Sequence, residues 1–220
     1  MLLPLLLGAV ALRVGWPTTA KAQAEEHSKS QSVPVASQHN DAVSAAAFEA
    51  IIPVLRHPRC MNCHSTGDYP RQGDDSHPHT MQVRRGPNGF GANVVECSTC
   101  HQGHNLSGVH TPPGAPDWRM PAPDMPMIWE GLSDRQLCDL FKDPNRNGGR
   151  DVEGIVEHLN TPLVLWGWNP GPGRTPVPMP QQQFLATIQE WASNGAACPA
   201  ETHSPSAAPI QHDDHSPSLR

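Results

Sequence analysis

The residues best equipped for chemistry in this chain fall in two pentapeptides, Cys60-Met61-Asn62-Cys63-His64 and Cys97-Ser98-Thr99-Cys100-His101. The Cys-X-X-Cys spacing lets two thiols form thioethers with the vinyl groups of one porphyrin, and the adjacent imidazole can ligate its iron. With 6 Cys and 13 His in 220 residues, chance would produce one such match roughly one time in a hundred, and two on the order of one in ten thousand. The motifs therefore predict two haem c groups. Cys60, Cys63, Cys97 and Cys100 are the expected attachment points, and His64 and His101 the expected proximal iron ligands.

Two other chemistries use paired cysteines. A zinc ribbon separates its knuckles by about 15–20 residues; the gap from Cys63 to Cys97 is longer, and a ribbon gives no reason for a His after each pair. A thioredoxin-like pair needs a βαβ context, and no strand-rich pattern surrounds either motif.

Each iron has a sixth position, filled by His or Met in electron carriers and open where the iron does chemistry on a small molecule. His77 and His79 lie between the motifs in His77-Pro78-His79-Thr80-Met81, where the proline aims the imidazoles apart. Either is a candidate distal ligand, with His79 preferred. Met127, in a Pro-rich segment after the second motif, is the preferred thioether candidate. Met120, Met125 and Met179 are lesser ones, with haem-edge packing as the alternative. His57, His104 and His110 are weaker candidates still. His158, on a helical segment, is expected at the surface, and the cluster His212-Asp213-Asp214-His215 in a polar tail.

The elements that must hold these groups are short. The composition is 37% hydrophobic and 5% aromatic, with 25 Pro and 18 Gly. That balance predicts a mostly α fold with long irregular Pro/Gly-rich loops, its helices organised around the two haems. Ser44–Arg56 reads as a helix capped at Ser44, with Pro53 kinking or ending it. Residues 65–96 and 111–127 read as wrapping loops. Cys97–His101 reads as a helical turn. Ser133-Asp134-Arg135-Gln136 is a capping box opening a helix with Leu137, Leu140 and Phe141 inward. Asp151–Leu159 and Gln181–Asn194 are further helices. Cys138 and Cys198 remain once the motif cysteines are counted. In an oxidising compartment they pair as a disulfide; otherwise they are two buried thiols.

Residues 1–24 carry a short apolar run, Leu2–Leu12, and small-X-small sites at Ala20-Lys21-Ala22 and Ala22-Gln23-Ala24, as in a signal peptide, although no cation precedes the run. The expected organisation is a signal peptide over 1–24, a flexible lead-in over 25–42, a dihaem domain over 43–199 and a disordered tail over 200–220. Export and covalent haem both point to the periplasm, and the run is too short to span a bilayer. The formal charge of −6 argues against nucleic acid or an anionic membrane and for protein partners with a positive patch.

Several segments together resemble exported bacterial dihaem cytochromes c. They are His57-Pro58-Arg59 leading into the first motif, Arg85-Gly86-Pro87, the second motif with Gln102, Met127-Ile128-Trp129-Glu130-Gly131, Asn147-Gly148-Gly149-Arg150, Trp166-Gly167-Trp168 and Gly195-Ala196-Ala197-Cys198-Pro199. The similarity covers residues 50–199. Members are sometimes labelled as subunits of isoquinoline 1-oxidoreductase-type molybdenum hydroxylases. The resemblance thus implies electron transfer from a periplasmic dehydrogenase, such as a molybdenum hydroxylase, to a downstream cytochrome or oxidase of the respiratory chain. No segment resembles a molybdopterin or iron–sulfur domain, so substrate oxidation would belong to the partner. The alternative is a dihaem enzyme such as a peroxidase with one open iron, but those enzymes are generally larger.

If the motifs are read correctly, matured protein carries two haems that stay with the polypeptide in acidified acetone. Pigment that extracts into the solvent contradicts the thioether assignment.

Overall fold

The computed structural model describes residues 39–92 and 95–201. The signal-peptide expectation for 1–24, most of the lead-in and nearly all of the tail lie outside the described residues.

Six α-helices are present among the described residues: α1 (Asp41–Leu55), α2 (Pro58–Met61), α3 (Asp134–Lys142), α4 (Val152–Leu159), α5 (Pro162–Leu165) and α6 (Gln181–Ser193). They alternate with long irregular segments, and α1, α3, α4 and α6 enclose the apolar core. None of these helices is long and apolar enough to cross a membrane.

Helix α1 starts earlier than the sequence suggested. Asn40, not Ser44, caps it by accepting from the Val43 N–H at 3.1 Å, so the body of the fold begins at 41, inside the expected lead-in. Ser44 is instead fully buried one turn in. Its Oγ donates to the Trp191 carbonyl and accepts from the Ala197 N–H, both at 2.8 Å, joining α1 to the end of α6. Pro53 does not end the helix. It sits in the last turn, where its missing donor removes one helical bond, and the chain continues to Leu55.

The capping box at Ser133 forms in both directions and opens α3. Asp151 caps α4 through the Gly154 N–H at 2.8 Å. Between these helices Asn147 is fully buried; it donates to the Phe141 and Arg150 carbonyls and accepts from the Arg150 N–H, all at 2.8 Å. The Asn-Gly-Gly-Arg segment is thus a turn organised around one buried amide. Phe48, Phe141 and Trp191 meet at the core centre with ring separations of 5.4–5.7 Å. Cys138 and Cys198 form the disulfide, closing a separation of 60 residues, a constraint of about 4 kcal/mol in the chain-entropy picture.

The segment over 65–96, expected as loop throughout, holds two small antiparallel ladders. β1 (Arg71–Gln72) pairs with β2 (His77–Pro78), and β3 (Gly91–Ala92) with β4 (Val95–Glu96). Strands of two residues are too short to show an alternating pattern. One turn of 3₁₀ helix follows at Cys97–Thr99 and another at Trp166–Trp168.

Replacing Ser44 by Ala leaves the Ala197 N–H without its acceptor, while the Trp191 carbonyl keeps the Ala196 N–H. The expected loss is roughly 1–3 kcal/mol, read from urea unfolding with the disulfide intact. A variant as stable as the parent would show that the hydroxyl bridge carries no net stability.

Candidate functional site

Both pentapeptides fold the same way locally. The His64 N–H bonds the Cys60 carbonyl at 3.2 Å, and the His101 N–H bonds that of Cys97 at 2.9 Å. One helical turn therefore carries each pair of thiols and the following imidazole. The four motif cysteines are unpaired thiols. Burial, then the neighbouring Cys63, pushes Cys60 up to about 12; burial, then Cys97, pushes Cys63 up to about 11. Reactive redox cysteines have lowered values, so this is not the environment of a thioredoxin-type pair.

Each motif imidazole is locked from behind. His64 Nδ1 lies 2.8 Å from the Met127 carbonyl, and His101 Nδ1 lies 2.7 Å from that of Pro113. A carbonyl only accepts, so Nδ1 carries the proton in both rings and Nε2 keeps a free lone pair. Each ring is also stacked on an indole: His64 on Trp129 at 3.7 Å and His101 on Trp118 at 4.5 Å, with 5° between planes in both cases. All four supports lie in one Pro-rich segment, 113–129. Burial is the leading cause that lowers both histidines, opposed by the carbonyl bonds; His64 falls to about 4. At neutral pH both rings are uncharged and able to ligate a metal.

The supporting segment is pinned by Arg85, whose guanidinium is almost fully buried and donates to the Pro121 carbonyl at 2.8 Å and the Gly67 carbonyl at 2.9 Å. Gly89 receives the same segment, with the Met120 N–H on its carbonyl at 3.0 Å. A Cβ on Gly89 would lie 2.1 Å from the Met120 oxygen, so only glycine permits this approach. From the core side, Trp129 packs against Phe141 at 5.4 Å. From the other side, Trp166 meets Trp118 edge-on at 4.8 Å and is itself anchored by Asn105.

The candidate distal ligands separate clearly. His79 and His101 have ring centroids 6.2 Å apart with 64° between their planes. An imidazole nitrogen sits about 1.1 Å from its ring centre, so with metal–nitrogen bonds of about 2 Å, two rings across one metal have centres about 6 Å apart. Both ring nitrogens of His77 are engaged, one by Asp75 at 2.6 Å and the other by Gln72 at 2.9 Å. His57 caps α2 through Nδ1. Met127 serves His64 with its main chain, held at a φ of +46° that is unusual for a side-chain-bearing residue, while its thioether side packs beside the core. Met120 and His110 line the cavity described below, and Met179 lies against the core. His158, expected at the surface, is half-buried. Burial first, then Arg150 and Arg119, lowers it to about 4. Helical periodicity marked Ile155 and Leu159 as inward but carried no information on what lies beside position 158.

A cavity of about 640 Å³ receives residues of both motifs, including Cys63, Cys97, Cys100 and His101, together with His79 and Trp118. That volume suits a cofactor-sized ligand. Among the described residues, four buried side-chain polar atoms lack any partner: Arg59 Nε, Asn62 Oδ1, Ser65 Oγ and Trp129 Nε1. Buried polar groups are normally paired, and all four belong to the first motif, its flanks or the indole stacked on its histidine. Among the described residues no group of three or more His, Cys, Asp or Glu is arranged to hold a bare metal ion. An iron already held by porphyrin nitrogens asks the protein for only two ligands. The residues present fit the group the motifs imply.

Compared with family models, with curated proteins and with solved structures, the chain matches none.

His158, neutral in the fold, takes up a proton more readily once unfolded. Stability linked to its burial is present above the ordinary value of 6.5 and drains away as pH falls toward about 4. Urea midpoints should decline over that window, and His158→Gln should make the decline shallower. An unchanged slope in the variant contradicts the buried neutral His158.

Proposed function

We propose that this chain is a dihaem c-type cytochrome that carries electrons between periplasmic redox proteins. The observation that carries the reading is the paired support of the motif histidines, each with Nδ1 on a loop carbonyl, its face on an indole and Nε2 left open.

Cys60 and Cys63 would hold one haem, and Cys97 and Cys100 the other, with His64 and His101 as proximal ligands. A bound haem iron supplies one-electron chemistry at a potential set by its axial ligands and its burial. The protein's part is to keep the imidazoles neutral, fix their planes and exclude water. His79, its ring centroid 6.2 Å from that of His101, is the imidazole we assign to the sixth position of the second site. Because residues of both motifs line one cavity, the two redox centres would lie close enough to form one conduction path.

The disulfide suits an oxidising compartment, in keeping with a periplasmic location. The acidic chain favours a donor and an acceptor that present positive patches. A periplasmic dehydrogenase, such as a molybdenum hydroxylase, would be upstream, and a cytochrome or oxidase downstream. On this reading the chain is a carrier and not an enzyme.

The test is spectroscopic. His79→Ala should turn one haem high-spin. Met127→Leu should leave both low-spin, since only the main chain of Met127 is used. Parent protein should not bind cyanide rapidly. Rapid cyanide binding at one haem would replace the carrier reading with a peroxidase-type enzyme, and a low-spin His79→Ala variant would remove that residue from the ligand set.

A further inference from the structure

The chain as a whole is acidic, yet its cavity is not. Four arginines line it, Arg59, Arg71, Arg119 and Arg174, against two carboxylates, Asp74 and Glu96. Arg59 is the most confined of them, with 2% of its side chain exposed. Its guanidinium lies over the Trp166 ring at 5.7 Å and pairs through one nitrogen with Asp74. Its Nε–H has no acceptor. Asp74 turns its other oxygen to the Thr175 N–H and hydroxyl, at 3.1 and 2.6 Å, which brings Arg174 alongside. Arg174 is held by the Thr111 and Pro170 carbonyls and by no carboxylate among the described residues. Burial first, then the nearby Arg174, lowers the proton affinity of Arg59, and burial lowers that of Arg174.

Asp74 thus pairs with Arg59 alone, and Arg174 beside it has only carbonyl acceptors. A buried cation with an unused donor is costly unless an anion completes it, and charge-assisted bonds to carboxylate suit a guanidinium best. We propose that Arg59 and Arg174 form a clamp for a carboxylate within the cavity, and that this carboxylate is a haem propionate. The inference rests on the dihaem reading above and adds to it the residues that seat the charged edge of the cofactor. The two arginines offset the negative charge of the propionate and so favour the reduced state over an unclamped propionate.

The experiment is a redox titration of matured protein, followed in the visible spectrum, for Arg59→Gln, Arg59→Lys and Arg174→Gln. Arg174 is remote in sequence from both attachment motifs, so its variant stands even if the substitutions beside Cys60 disturb maturation. Each Gln variant should lower one midpoint by about tenfold in the reduced-to-oxidised ratio, about 59 mV for one electron, while Arg59→Lys stays near the parent. Unchanged midpoints in both Gln variants overturn the clamp. An Arg59→Lys variant that falls as far as Arg59→Gln overturns it too, since that pattern reports lost packing and not lost charge. Acetate titrated into the parent should have no saturable effect on either midpoint. A saturable shift that Arg59→Gln abolishes would mean a free carboxylate occupies the site, which also overturns the propionate assignment. Pigment lost from the parent in acidified acetone would instead sink the haem reading itself, a failure distinguishable from that of the clamp.

Discussion

A buried imidazole must have its N–H partnered, and the way this chain meets that requirement organises everything around it. Both motif histidines donate Nδ1–H to carbonyls of a single Pro-rich segment, Pro113 for one and Met127 for the other. Proline suits such a segment physically. It stiffens the chain and withdraws N–H groups, so the carbonyls are not consumed by helix or sheet ladders and stay available as acceptors. The same segment supplies Trp118 and Trp129, so each ring is fixed in tilt as well as in tautomer. Because one strap supports both histidines, a disturbance to it reaches both motifs.

The strap needs its own anchor, and Arg85 provides it by donating to carbonyls of two segments from an almost fully buried position. The helical core supplies the second anchor. Phe48, Phe141 and Trp191 pack around Trp129's neighbourhood, and the stacking of His64 on Trp129 transmits that rigidity to the first motif. The link runs from core packing to ligand orientation with no regular structure between them. This explains how a loop-rich chain can still hold a demanding geometry.

Burial sets the electrostatic character of the site. Thiols are kept protonated and histidines kept neutral, both through loss of water. Neutral imidazoles with open Nε2 positions suit metal ligation. Arginines facing the same cavity give it a positive cast inside an acidic protein. On the proposed reading, these features describe a protein that invests in positioning and in tuning potential, and leaves substrate chemistry to its partners.

Much of this was legible in the residues alone. The Cys-X-X-Cys-His pentapeptides, the capping box at Ser133, the helices over 151–159 and 181–194, and the pairing of the two remaining cysteines all follow from local spacing, which sequence records directly. The start of α1 was misread because Ser44 and Asn40 both suit a cap, and only long-range bonds to Trp191 and Ala197 show that Ser44 is used elsewhere. The two-residue ladders fall below any detectable period. Tertiary structure alone decided which carbonyls and indoles support His64 and His101, that His79 and not His77 lies near His101, that Met127 contributes its main chain, and that His158 lies inward. Each of these depends on residues tens of positions apart meeting in space, and local periodicity is silent about which distant neighbour a side chain will meet.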